Sequence, residues 1–538
     1  MSLKPQPSRP MPEDLARLGA ILLPQDSPYC LIGDQLYAQY DNAAFADLYH
    51  KEGKPALPPV DLLFVLALQA LEDLGDRGAA DAVRLRLDWK YALHLPLEYA
   101  GFDFSVLSDF RARLLAHDAA TRLFDTLLGQ LRELGLLKRR GRQRTDSLAV
   151  LARIHLLTRV ELVAETLRLA ITALLQADQS WARATLPPAW EEWYGQRCVA
   201  ERLSAAERTR LQTETGRDGQ WLLERLADPT TPAALASLPE VVTLRSVWAQ
   251  QYELREQQVV FQDLRGYDGT LQIQSPHDAE ARWSKKGRSH WVGYKLQVTE
   301  TDDDELPHLI TDSALTSSVE GDTTALGEIA ARQAARDVLP SQRYVDQAYV
   351  SGGTLQASAA RGEDLIGPAP SSDPSPQARL VDGLTQAHFL LDLDARVAIC
   401  PAGATAVGRV AKDRTIRFDF ADDHCAGCAL RPRCCTGKGG RRLTTSPGHA
   451  ALVAARERQE TEAFKTAYRA HRGGVEGCLS ALVRGHGIRV NRYIGQAKNE
   501  LRALFVGAAA NLRRAARWLA GKRPQVRRPG LGLAPASG

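Results

Sequence analysis

Three acidic residues, far apart in the chain, carry the pattern in this sequence with the clearest chemistry. Asp146 stands in Arg144-Thr-Asp146-Ser-Leu-Ala-Val150-Leu, a short β-compatible run. An aspartate inside a strand opposes its own propensity, which points to a functional role; the plain alternative is a turn aspartate beside a helix. Asp346 ends a second predicted strand, Gln342-Arg-Tyr-Val-Asp346-Gln-Ala-Tyr349, 200 residues later (346 − 146). Glu476 follows after another 130 (476 − 346), in Tyr468-Arg-Ala-His-Arg472-Gly-Gly-Val-Glu476-Gly477. If that stretch is helical, Tyr468, Arg472, Glu476 and Arg484 fall four or eight residues apart on roughly one face. A phenol, two guanidiniums and a carboxylate are unusual on a core helix. Three converging carboxylates can hold two divalent ions about 3.5 to 4 Å apart, the arrangement that drives in-line phosphodiester displacement. Hard oxygen donors favour Mg2+ or Mn2+ there.

Bringing these acids together requires a sheet. Trp291 to Glu300 alternates as a strand, Asp302 to Glu305 makes a turn and Leu309 to Leu315 is the next strand. Thr323 to Arg336 and Thr354 to Arg361 have helical periodicity, and Asp364-Leu-Ile-Gly is a further strand edge. Three strands, then helix, strand, helix, strand is the order of an RNase H-like mixed sheet flanked by helices, an α/β fold. Asp146 and Asp346 become neighbours in it if the helical segment between them loops out.

The boundaries follow from composition. Residues 1–137 read as an all-α N-terminal domain suited to DNA binding or dimerisation, and 138–154 carry the first strand of the catalytic sheet. Residues 155–256 are a helical insertion, and 257–367 the rest of the catalytic core. Residues 368–445 are a Pro/Ser-rich linker and a cysteine-rich insert. A long helix from Ser446 to Arg472 leads into 446–519, which carries Glu476, and 520–538 form a basic tail read as disordered. Within the first domain, Glu13 to Leu22 and the segment after Pro58-Pro59 are helices; Ser105 is the expected N-cap of a helix exposing Arg111 and Arg113.

The insert holds Cys400, Cys425, Cys428 and Cys434 with spacing Cys-x24-Cys-x2-Cys-x5-Cys, and Cys435 stands as a possible alternative ligand beside His424. Four thiolates with one Cys-x2-Cys turn match a small zinc-ribbon-like site for structural Zn2+; an iron–sulfur cluster uses similar ligands, and chance clustering is the bland reading.

Charge points the same way. The 538-residue chain has a net charge of only +4, but after Glu500 there are eight Lys or Arg residues and no acid. Five basic residues crowd into Lys138 to Arg144, including Arg139 and Arg140, and Lys285, Lys286 and Arg288 lie in a predicted basic loop from Ala281 to Arg288. Such clusters read as phosphate contacts, with a solvated surface as the commoner explanation for any one of them. An N-terminus without an apolar signal core, and a longest apolar run (near Ala503 to Leu512) too short to span a bilayer, predict a cytoplasmic protein that does not enter the membrane, with free or metal-bound thiols.

Taken together, the helical N-terminal domain, Thr145-Asp-Ser147, the block Ala281 to Tyr294, Tyr344-Val-Asp346, the cysteine insert and Gly474-Val-Glu-Gly477 resemble a bacterial insertion-sequence transposase of the DDE, RNase H-like class, over roughly Asp41 to Leu519. The resemblance implies that Asp146, Asp346 and Glu476 are a metal-binding triad, and that Tyr468, Arg472 and Arg484 correspond to the family's Tyr-Arg-Glu-Lys signature. Arg472 falls one residue late for that signature, Arg484 replaces its lysine, and Gln347-Ala348 follow Asp346 where relatives often have small residues with a glycine. It further implies metal-dependent cleavage at inverted-repeat ends, strand transfer of the 3′-hydroxyl into target DNA, a homodimer on DNA and a nucleoid-associated location. The rival readings are a catalytically inactive, domesticated DNA-binding descendant and an RNase H-like nuclease without strand transfer.

Overall fold

The computed structural model describes residues 1–523 except 5–6, 264–268, 371–374, 413 and 447. Most of the basic tail, and part of the Pro/Ser-rich run from Pro368 to Pro376, therefore lie outside the described residues. The fold is mixed α/β. Its central sheet has six strands: β1 (Arg142–Leu151), β2 (Arg282–Lys286), β3 (Ser289–Thr301), β4 (Ile310–Ser317), β5 (Gln342–Tyr344) and β6 (Asp364–Ile366). β3 runs antiparallel to β1, β2 and β4, whereas β5 lies parallel to β1 and β6 parallel to β5. The order across the sheet is β2, β3, β1, β5, β6, with β4 also pairing with β3. Helices α1 (Asp322–Ala335) and α2 (Gly352–Ala360) make the two crossovers that the parallel strands need.

β1 has two working faces. Its odd residues Gln143 and Thr145 are fully buried in a polar network with Thr299, Thr311, Gln333 and Arg343. Its even residues Arg144 and Asp146 project to the other side, as the two-residue period of a strand requires. The β1–β3 register depends on one glycine: a Cβ on Gly293 would lie 2.1 Å from the Val150 carbonyl oxygen. Gly293→Ala is accordingly expected to cost about 1–3 kcal/mol, read as a lower urea midpoint, because the two strands must part to admit the methyl.

Several local expectations are corrected. Ala281 to Arg288 is no loop: Arg282–Lys286 pairs with β3 as a hairpin whose turn uses Gly287 at φ +60°. The strand expected over Gln342 to Tyr349 stops at Tyr344, because Asp346 instead caps a 3-10 turn, Gln347–Tyr349. The long helix from Ser446 is two helices, His449–Gln459 and α3 (Glu462–Arg472), since the Thr461 hydroxyl caps the second. α4 (Gly474–His486) and α5 (Gln496–Leu519) follow. Ser105 is the first helical residue rather than the N-cap, with its N–H bonded to Asp103. Arg111 is buried against Asp76, and Arg113 donates to the Leu48 carbonyl.

Apart from a small cluster around Leu15, Cys30 and Tyr91, the N-terminal helices share their core with the rest of the fold. Phe64, Leu68, Trp89, Phe124 and Leu131 share one apolar cluster with Val150, Leu296 and Ile310 of the sheet and with Leu504 and Val506 of α5. The segment between β1 and β2 builds a separate core around Leu167, Trp190, Leu222, Leu244 and Trp248, and the hairpin Tyr252–Arg255 to Gln258–Phe261 packs on it. The cysteine-bearing segment is a five-stranded antiparallel meander from Leu390–Asp392 to Arg442–Thr445, cored by Phe389, Ala398, Phe418 and Phe420. Among the described residues no helix is long and apolar enough to cross a membrane.

Candidate active site

The register of the parallel pair brings the two aspartates together. Arg142 lies opposite Gln342 and Arg144 opposite Tyr344, where the paired register ends; two residues further along each chain, Asp146 and Asp346 are near enough for the Asp146 charge to be felt at Asp346. The chain stays extended beyond β5, where the Val345 N–H bonds to the Ile366 carbonyl. Asp346 then turns its carboxylate to accept the Ala348 N–H at 3.0 Å. Burial, and next the field of Asp146, push the Asp346 carboxyl above its ordinary range. The Asp146 carboxylate accepts the Ser147 N–H at 2.7 Å and a guanidinium hydrogen bond from Arg472 at 2.8 Å.

Arg472 reaches Asp146 from the end of α3. Its side chain is only 11% exposed, and its Nε and Nη1 have no hydrogen-bond partner. Tyr468, one turn earlier, donates to the Val345 carbonyl at 3.1 Å and stacks on Phe464. Thus the phenol and one guanidinium of the expected face do meet the aspartates. Glu476 is not brought among them: it is exposed on α4 and makes no hydrogen bond or ion pair with the described residues. Arg484 is likewise exposed and unpaired among them. Among the described residues, no group of three or more acidic, histidine or cysteine side chains is already arranged as a metal site.

The basic clusters divide into two kinds. Lys285, Lys286 and Arg288 stand exposed at the β2–β3 hairpin tip with no ion-pair partner among the described residues, and the Lys286 charge is felt at Asp346. The cluster from Lys138 to Arg144 is largely neutralised within the fold. Lys138 pairs with Glu305, Arg142 with Asp304, and Arg139 with Asp337 at 2.9 Å, while Arg140 donates to the Gly362 carbonyl.

Arg144 belongs to an arrangement that sequence reasoning missed. It bridges Glu300 (2.7 Å) and Asp302 (2.6 Å), and Arg514 of α5 holds the other Glu300 oxygen at 2.8 Å. Burial alone would raise the Glu300 carboxyl, yet the charges of Arg514 and Arg144 bring it below its ordinary range. His471 bonds Asp302 at 2.7 Å, and His308 lies 3.0 Å from Arg144. The available signal was Glu300 and Asp302 at the end of a buried strand, which need buried cations as partners. Gly474 makes room for this group, since a Cβ there would lie 2.0 Å from the Arg144 guanidinium.

In the meander, Cys400, Cys425, Cys428, Cys434 and Cys435 line one cavity of about 280 Å³ with His424 and Arg441. The Ala404 and Arg441 N–H groups point at the sulfurs of Cys400 and Cys425, at 3.3 and 3.4 Å. Burial, and then the neighbouring Cys434 and Cys425 thiols, push the Cys435 thiol up to about 12.

Comparison with known families gives two matches. Residues 399–516 match the model described as Transposase DDE domain, and residues 20–113 the model described as Transposase domain (DUF772). The first covers the cysteines, Arg472 and Glu476, whereas Asp146 and Asp346 precede it. No curated protein matches the chain.

Proposed function

The chain belongs to the insertion-sequence transposases of the DDE class, and from that premise we propose that it cuts DNA at transposon ends and joins the freed 3′-hydroxyl to target DNA. One observation carries this reading: the parallel register of β1 and β5 leads Asp146 and Asp346, 200 residues apart in the chain, out at the same end of the sheet, where the charge of Asp146 is felt at Asp346. A sheet in which β4, β3 and β1 are antiparallel neighbours and β5 and β6 follow in parallel supports an RNase H-like core.

We assign Asp146, Asp346 and Glu476 as the acids that hold divalent metal. The donor types suit Mg2+ or Mn2+: the charge of Asp146 is felt at Asp346, whereas Glu476, exposed on α4, would have to approach the pair when metal and DNA bind. When bound, the two ions activate the attacking hydroxyl and stabilise the leaving oxygen. Burial and next the Asp146 charge raise the Asp346 carboxyl, and a bound cation would favour its ionised form. Arg472 offsets part of that charge by sitting on Asp146, and its other two guanidinium nitrogens are buried without a hydrogen-bond partner. Tyr468 fixes the backbone next to Asp346. Lys285, Lys286 and Arg288 on the hairpin tip supply phosphate contacts beside the acids, with Arg484 a further cation on α4. Two ends must be paired for transfer, so the acting form on DNA is a homodimer.

The test is strand cleavage with Mg2+ on duplexes carrying the element's own inverted-repeat ends, plus a target duplex. Cleaved and joined products are expected. Cleavage without joining would make the protein a nuclease of the same fold, and binding without cleavage a DNA-binding descendant.

The cysteine cavity is assigned to a structural Zn2+. Five thiols line it without yet being arranged as a metal site, and two N–H groups point at the sulfurs of Cys400 and Cys425, as thiolates require. Cys400, Cys425, Cys428 and Cys434 would hold the ion, with Cys435 as the alternative fourth ligand. The purified protein is expected to contain about one zinc per chain, and Cys425→Ser to lose it and several kcal/mol of stability in that unit. Zinc-free protein with an equally stable serine variant would end the assignment.

A further inference from the structure

A cleft of about 640 Å³ opens between α4 and the C-terminal end of α5. Gly474, Gly477 and Cys478 form one wall, Arg514, Arg517, Trp518, Lys522 and Arg523 the other, and Arg144, Glu300 and His308 the floor. Its charge is one-sided. Arg144 and Arg514 are matched by Glu300 and Asp302, and Lys522 by Asp26 at 2.6 Å. Arg517 makes no hydrogen bond or ion pair with the described residues. Arg523 lies over the Trp518 ring at 3.7 Å and, among the described residues, donates only to the Trp518 carbonyl. Among the described residues neither guanidinium forms an ion pair, although the Arg517 charge is felt at Asp26.

Gly477 adds an independent sign. Glycine is a poor helix former, and position 477 lies inside α4. Gly474 has a steric reason in Arg144, but a Cβ on Gly477 would meet nothing within 4 Å. The folded chain has no need of a bare backbone there, whereas something seated against the helix would.

We infer that this cleft holds the sugar–phosphate backbone of the DNA strand that runs on from the aspartates, with Arg517 and Arg523 on its phosphates and Gly477 giving the close approach. The floor joins the two sites: Arg144 and Asp146 share a face of β1 two residues apart, about 7 Å along the strand. The inference rests on the reading of the chain as a transposase, but not on its acids cutting.

The test is fluorescence anisotropy with the full chain and labelled end duplexes, in EDTA, across a salt series. Arg517→Gln with Arg523→Gln is expected to weaken binding at least about tenfold and to lower the salt slope by about two. Gly477→Leu is expected to keep or raise the thermal midpoint, because leucine favours the helix, and still to weaken DNA binding at least about tenfold by filling the cleft. A folded Gly477→Leu protein that binds DNA like the parent would overturn the inference, as would an unchanged salt slope in the double variant. So would inorganic phosphate that binds the parent, but not the double variant, without displacing DNA, which would mark a small-anion site. Because no metal is present, these results stand whether or not the cleavage assay succeeds.

Discussion

Asp346→Asn is expected to leave the protein folded and to remove strand cleavage by about a thousandfold or more. The loss follows from the role proposed for the carboxylate: stabilisation by a bound divalent ion amounts to several kcal/mol, and each 1.36 kcal/mol is about tenfold in rate. The survival of the fold follows from the local structure. Asparagine keeps an oxygen for the Ala348 N–H and is itself a favoured capping residue. It also removes a cost. Burial and Asp146 raise the Asp346 carboxyl in the folded chain, so its ionised form is disfavoured there relative to the unfolded chain. For an acid shifted upward, stability is lost as pH rises through the unfolded value, near 3.9, and the full cost persists above the folded value. The asparagine variant should therefore melt at or above the parent's temperature at neutral pH, with the gap closing on acidification below about pH 4. Wild-type cleavage by the variant would remove Asp346 from the active site; a large drop in midpoint at neutral pH would show that the carboxylate is structural.

The acids were legible in sequence to different degrees. Asp146 stood out because an aspartate in a β-compatible run needs a reason, and the strand–helix alternation around 310–366 gave the parallel pair that brings Asp346 alongside. What sequence could not show is where each charge goes. Lys138 to Arg144 looks like an open basic patch until the turn at Asp302 to Glu305 arrives, some 160 residues later in sequence, and its carboxylates pair with Lys138, Arg142 and Arg144. The hairpin tip at Lys285, Lys286 and Arg288, by contrast, stays uncommitted among the described residues, and there the error was of form: a tight turn at Gly287 makes two strands from what reads as a loop. Helical periodicity also ran through Glu460 and Thr461 without registering the threonine cap, a local competition that apolar spacing does not record. The sharing of one core by the N-terminal helices and the sheet was hidden for another reason. An apolar stripe states that a face is buried but not against what, and α5 is apolar enough to serve both partners.

The largest effect on stability is expected beneath the aspartates, at Arg343. This side chain and Glu363 are both 0% exposed, and the guanidinium also bonds Thr145 (3.0 Å) and Gln333 (2.5 Å). Those partners tie β5 to β1, α1 and the chain entering β6, on the sheet face opposite Asp146. Arg343→Met would strand a buried carboxylate and leave hydroxyl and amide groups unpaired. Losing one member of such a pair costs about 3–5 kcal/mol, and Arg361, which stays 3.2 Å from Glu363 and is partly exposed, puts the value toward the lower end. Arg343→Met combined with Glu363→Leu should recover much of that loss, because two apolar groups of similar volume pack without a desolvated charge. Urea midpoints on the two single variants and the double give the coupling directly. If the network only stabilises, the double variant regains both its midpoint and its DNA cleavage. If it also sets the β1–β5 register, the midpoint returns while cleavage does not, because Asp146 and Asp346 meet only when residue 144 lies opposite residue 344. A double variant as unstable as the single would mean that Thr145 and Gln333, rather than the buried carboxylate, dominate what Arg343 contributes.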